Sequence, residues 1–143
     1  MKNILPKPAT IVAASLSIFL LLSSCSQKIG FQTSAVEPAA RGTVKVDRDK
    51  NNNYEINLDV RNLAEPNRLQ TPKQAYVVWM DTQQNGTQNL GQLKTGTGML
   101  SSALKAELKA ITPYKPIRIF ITAEDGSTVQ VPSSFVVLNT NSF

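Results

Sequence analysis

Histidine is absent from the 143-residue chain, and cysteine occurs once, at Cys25. These two scarcities exclude zinc sites of the usual Cys/His kind, Ser-His-Asp triads and Cys-His nucleophile pairs within one chain. Aromatic residues make up only 6% against 41% hydrophobic residues overall, which suits one core, since domains commonly run to about 100 to 150 residues. No cluster of Lys and Arg interleaved with aromatics occurs, so the footprint of a nucleic-acid binder is missing. The formal charge of +5 overstates the basicity of the folded part: without Lys2 and Lys7, which lie in a leader, 13 of the 15 basic residues face 10 acidic ones, a net of +3. Long apolar runs are lacking too. The longest, Ile11 to Leu22, is broken by Ser15 and Ser17 and rises only about 18 Å as a helix, against a hydrocarbon core of about 30 Å, so a permanent span is not expected.

What is present begins with that run. Residues 1–10 carry two lysines and no acid, the apolar stretch follows, and small residues close it, which is the three-part layout of a secretory signal. It ends in Leu22-Ser23-Ser24-Cys25, an aliphatic residue, two small residues and the only cysteine. These four residues resemble the lipobox of bacterial lipoprotein signals. The resemblance implies removal of residues 1–24, a diacylglyceryl group on the Cys25 sulfur and a further acyl chain on its new amine. One myristoyl-sized chain binds membranes reversibly, at about 0.8 kcal/mol per buried CH₂, whereas two or more make attachment stable. Ser26 is non-acidic; in lipoproteins of two-membrane bacteria such a residue usually accompanies export to the outer membrane. The competing readings are a secreted protein with a stray cysteine, or an uncleaved signal anchor. Residues 25–40 have little charge, Gly30 and Pro38, and no period; they read as the acylated cysteine and a flexible tether holding the domain about 20 Å from the lipid.

Residues 41–143 read as strands. Val44 and Val46, then Tyr54, Ile56, Leu58 and Val60, alternate with polar neighbours on either side of the turn-prone DRDKNNN, which predicts a half-buried hairpin. In Ala75 to Asp81, Tyr76, Val78 and Met80 face one way and Val77 and Trp79 the other, as in a covered central strand. Asn85-Gly86 then signals a hairpin turn into TQNLGQLK. Met99 to Ile111 fits two periods: Leu104, Ala106, Leu108 and Ala110 alternate as in a strand, while Leu100, Leu104, Leu108 and Ile111 share a helix face. Propensity favours helix; neighbouring strands and the stops at Pro113 and Pro116 favour strand, and strand is the expectation. Ile117 to Glu124 and Phe135 to Leu138 complete the set. About seven short antiparallel strands at this spacing predict an all-β, immunoglobulin-like β-sandwich with Trp79 in its core.

Tyr76-x-x-Trp79, Asn89-Leu90-Gly91-x-Leu93, Ile121-Thr122-Ala123-Glu124, Gly126-Ser127 and Val136-Val137-Leu138 together resemble the extracytoplasmic C-terminal domain of anti-sigma-K factors. The resemblance covers Tyr76 to Leu138 and implies a small all-β sandwich outside the cytoplasm. It does not carry sigma-factor regulation, which needs a cytoplasmic sigma-binding domain and a spanning helix. Core residues and turns dominate the series, so it speaks for fold more than function.

Candidate chemistry is sparse. Asp47, Asp49 and Asn51 match the first positions of a calcium loop, but Asn52 stands where glycine is required and Leu58 where the bidentate glutamate belongs, so a solvated turn is expected. Ser102-x-x-Lys105 and Lys94-Thr95-Gly96 match two elements of penicillin-recognising enzymes, in the wrong order and without the third. Gly96 and Gly98 in T-G-T-G lack a phosphate loop's lysine. Glu107, Glu124 and Asp125 read as solvated, and Tyr114 as a loop aromatic open to contact or packed under its loop. The expectation is an enzyme-free, cofactor-free and metal-free envelope protein, bound to the membrane through Cys25 and to a protein partner. The alternative is a sensor of calcium, glycan or a hydrophobic molecule.

Overall fold

The computed structural model describes residues 26–97 and 104–143. The leader, the lipobox with Cys25, and the Met99 to Ala103 part of the two-period segment lie outside the described residues. Eight strands follow in chain order: β1 Gln27–Gly30, β2 Arg41–Arg48, β3 Tyr54–Arg61, β4 Ala75–Thr82, β5 Gly86–Thr97, β6 Leu104–Thr112, β7 Pro116–Glu124 and β8 Val136–Asn139. All are antiparallel, in one curled sheet of order β1-β2-β3-β6-β5-β4-β7-β8. The all-β expectation is met, with eight strands for the expected seven or so. The described residues contain no α-helix, only one 3-10 turn at Pro66–Arg68.

The sheet curls because β5 serves both of its halves. Gly86 to Leu93 pairs with β4, and Lys94 to Thr97 pairs with β6. Within the half that pairs with β4, Val78 faces Gly91 and Trp79 faces Asn89, so Leu90 is an extra residue. Such a bulge bends its strand and increases local twist. Gly91 takes φ 124° there, a region that side chains strongly disfavour, and Leu90 turns toward the core.

One core fills the curl, built from Val44, Ile56, Leu58, Val60, Tyr76, Val78, Met80, Ile119, Ile121 and Leu138. In β6, Ala106 is buried and Leu108 half-buried while Lys105, Glu107 and Lys109 point outward. Pairing with β3 on one side and β5 on the other overrides the helix propensity of that segment.

Trp79 is fully buried but not in this core, contrary to expectation. The two-residue alternation of β4 places it with Val77 on the outer face, beside Phe120 of β7, the ring centroids 6.4 Å apart and the planes 17° off parallel. Val129, from the loop between β7 and β8, covers them.

The expected tether is corrected as well. From Gln27 the chain is part of the fold: β1 pairs with β2, Phe31 packs on the core and its N–H donates to the Gly42 carbonyl at 3.1 Å. Phe31 and Thr140 then form a bridge, and the Gln32 N–H donates to the Asn139 carbonyl at 2.9 Å, so the two sheet edges meet. Buried Ser34 donates to the Val137 carbonyl at 2.5 Å and accepts from the Glu37 N–H at 2.8 Å. Only Ile29, Phe31, Val36 and Ala40 supply apolar contact, too few and too unevenly spaced for a legible period.

Closure requires a close approach at Gly42, where an added Cβ would lie 2.8 Å from the Asp59 carbonyl oxygen and 3.0 Å from Phe31 Cδ2. Gly42→Ala is expected to lower stability by about 1 to 3 kcal/mol, measured by urea unfolding. An unchanged midpoint would mean that the chains do not approach this closely at Gly42.

Candidate functional site

Alternation along β2, β3 and β6 turns their charged residues outward, and register sorts these into rows across the sheet. Arg41, Arg61 and Lys105 form one row; Thr43, Asp59 and Glu107 the next; Lys28, Lys45, Asn57 and Lys109 a third; Asp47 and Glu55 a fourth. Basic and acidic rows therefore alternate. Neighbouring rows join in ion pairs: Arg61–Asp59 at 3.3 Å, Lys45–Asp47 at 3.0 Å, Lys109–Glu55 at 2.8 Å and Lys105–Asp59 at 3.5 Å. Lys105 also pairs with Glu107. Exposed pairs of this kind contribute about 0 to 1 kcal/mol each, so they shape the charge pattern more than they stabilise the fold. A shallow groove crosses the face between Lys28, Lys45, Asn57, Asp59, Glu107 and Lys109.

Local bonds hold several of these groups in their charged forms. Hydrogen bonds from Asn57 and then Lys109 keep the Glu55 carboxyl below its ordinary range. Bonds from Lys45 and then Ser26 do the same for Asp47, and the bond to Glu107 raises Lys105.

The calcium-like loop is a self-satisfied turn. Asp49 Oδ1 accepts from the Asn51 and Asn53 N–H groups, each at 2.8 Å, and Oδ2 from Asn53 Nδ2 at 3.2 Å. Asn52 takes the glycine-like φ of 65°. Desolvation acts upward on the Asp49 carboxyl, but the bonds from Asn53 and Asn51 outweigh it and leave it below the ordinary value. Among the described residues no group of three or more Asp, Glu or Cys side chains is arranged to hold a metal ion.

Lys94-Thr95-Gly96 lies in β5, where Gly96 pairs with Lys105 of β6, whose amine is held by Asp59 and Glu107. Ser102 and Gly98 fall outside the described residues. Glu107 is exposed as expected, and Asp125 is exposed and pairs with Lys73 at 2.9 Å. Glu124, expected in solvent, is only 5% exposed. Its position two residues after Thr122 puts both on the outer face of β7 with Trp79. The indole N–H donates to Thr122 Oγ1 at 2.7 Å, and that hydroxyl donates to Glu124 Oε1 at 2.5 Å. The same oxygen accepts from the Ser133 N–H at 2.8 Å. Asn89 Nδ2 donates to the Val129 carbonyl at 2.9 Å, so the β7–β8 loop is fastened over Trp79 at two points. Sequence reasoning missed this chain, although a tryptophan on a face with Thr and Glu at two-residue spacing was its signal. Tyr114 is 41% exposed on the β6–β7 loop, beside the Gln83–Asn85 turn.

No protein family, curated protein or solved structure matches the chain. The residues that carry the anti-sigma-K resemblance occupy the β4 core and outer face, the β5 bulge, and the Thr122–Glu124 chain.

Thr122→Val leaves a buried indole N–H and a buried carboxylate short of a partner, which costs about 1 to 3 kcal/mol. Chemical unfolding followed by Trp79 fluorescence reads the loss; unchanged stability would remove the chain's structural role. The pH dependence follows from Asp47, Asp49 and Glu55, whose folded-state pKa values are all depressed. A depressed carboxyl adds stability above its ordinary value of about 3.9 to 4.3 and loses it as pH falls through the folded value. With no histidine present, the melting temperature should be level between about pH 5 and 8 and drop below about pH 4. Asp49→Asn should reduce that drop, and an acid limb of the same size would contradict the assignment.

Proposed function

We propose that the protein is a lipid-anchored component of the bacterial cell envelope, in the outer membrane where there are two membranes, whose curled sheet is a non-catalytic interaction or structural module. The observation that carries this reading is the sole cysteine at the end of Leu22-Ser23-Ser24-Cys25, with the first strand beginning at Gln27. A diacylglyceryl thioether on Cys25 and an acylated amine would make the only thiol an anchor. Two residue steps separate Cys25 from β1, at most about 7 Å of chain, so the domain would sit against the headgroups instead of about 20 Å away. The alternating charge rows are the face we assign to an envelope partner, because complementary charge sets register and partner choice more than affinity.

Cells fed a radiolabelled fatty acid should incorporate label into the wild-type chain and not into Cys25→Ala, and only the wild type should remain in the washed membrane fraction. Equal label and equal retention would overturn the anchor. Thermal unfolding of the acylated protein with calcium, glycans or fatty acids tests the module. A ligand at 100 times its Kd would raise stability by about 2.7 kcal/mol and replace the interaction role with ligand sensing.

A further inference from the structure

We infer that the rim of the curled sheet from which residue 25 departs rests on an anionic lipid surface, with Arg48, Lys50 and Lys115 over the phosphates and Ile111 and Tyr114 against the headgroup boundary. This rests on the lipid-anchor reading of Cys25.

Register assembles the rim. β1 enters with Gln27 opposite Val46, two residues before Arg48 and the β2–β3 turn. Tyr54, the first residue of β3, pairs with Thr112, the last of β6, which brings the 113–115 loop to the same end. Pro116 pairs with Thr82, adding the Gln83–Asn85 turn.

Charge on this rim is basic on balance, with Arg48, Lys50 and Lys115 set against one carboxylate, Asp49, that bonds only neutral groups. The Arg48 guanidinium lies 4.6 Å from the Tyr54 ring centroid and donates to the Tyr54 hydroxyl and to Asn52 Oδ1, none of them an anion. Lys50 and Lys115 are exposed and make no ion pair among the described residues. The carboxylates nearby are engaged: Asp47 with Lys45, Glu55 with Lys109, Asp81 with Arg118 at 2.8 Å, and Asp49 within its turn. Among the described residues, three cations therefore lack an ion-pair partner where the anchor would hold them close to lipid. Their attraction to anionic lipid decays over a Debye length of about 8 Å at physiological salt, and the link of at most about 7 Å keeps the β1–β2 corner of the rim, with Arg48, inside that range.

Apolar surface gathers at the same place. Ile111, opposite Glu55 near the end of β6, is 60% exposed, and Tyr114, next to Lys115 on the loop that follows, is 41% exposed. A tyrosine ring with a wet hydroxyl suits the depth of the headgroups.

The test uses the full acylated protein, reconstituted in vesicles of phosphatidylglycerol and phosphatidylethanolamine or of phosphatidylcholine alone. A water-soluble amine-acylating reagent labels the lysines, and mass spectrometry reads each site together with the lipid on Cys25. Lys50 and Lys115 should label several-fold more slowly on the anionic vesicles than on the neutral ones, with Lys94, exposed on β5, unchanged. One molar salt should abolish the difference, and Ile111→Ser with Tyr114→Ser should reduce it. Equal labelling on both vesicles with Cys25 acylated overturns the docking and leaves the anchor standing; protection spread equally to Lys94 overturns it too. An unacylated Cys25 overturns both.

Discussion

The structure depends on the pairing of residues 27–34 across the seam of the sheet. A curled sheet with two free edges would offer rows of unpaired N–H and C=O groups, a template for association with other chains. Here β1 pairs with β2, the Phe31–Thr140 bridge joins it to the chain beyond β8, and Ser34 bonds the Val137 carbonyl. The same few residues close the core, because Phe31 reaches it only across the bare Cα of Gly42. They also follow Cys25 directly, so the segment that seals the fold is the one an anchor would pull on.

Two further devices position the surfaces. The Leu90–Gly91 bulge bends β5, which pairs with β4 and then β6, while the pairing of β6 with β3 brings Lys109 to Glu55 and Lys105 to Asp59. The Trp79–Thr122–Glu124 chain secures the loop over the outer face of β4 and β7. A carboxylate taken from water is tolerated there because it accepts two hydrogen bonds. Together they leave the basic rim and the striped face as outward surfaces not committed to packing.

Much of the fold was legible because strand alternation is a local signal. Val44, Val46, Ile56, Leu58 and Val60 sit in the core where their period puts them, and β6 follows its alternation despite its helix-forming residues. Asn52 at positive φ in the β2–β3 turn follows from turn chemistry. Trp79 was read as buried on the correct strand but assigned to the wrong layer, since nothing local says which apolar face of a two-sided strand meets the larger core. Glu124 was misread because burial of a carboxylate depends on Ser133 and on a covering loop distant in sequence. The tether reading failed for a similar reason: β1 has four residues and is defined by its partner. The charge rows and the basic rim need the register of β2, β3 and β6, which no single stretch of sequence contains.

On this account a greasy Cys25 is joined to a structured strand with almost no slack, and that coupling distinguishes it from a domain on a flexible leash. Native-state hydrogen exchange of the acylated protein on bilayers tests it most directly, read at the Phe31 and Gln32 amides, which donate to the Gly42 and Asn139 carbonyls. Exchange as slow as in β2 and β3 is the predicted result. Exchange at coil rates through residue 32, with β2 and β3 still protected, would contradict it.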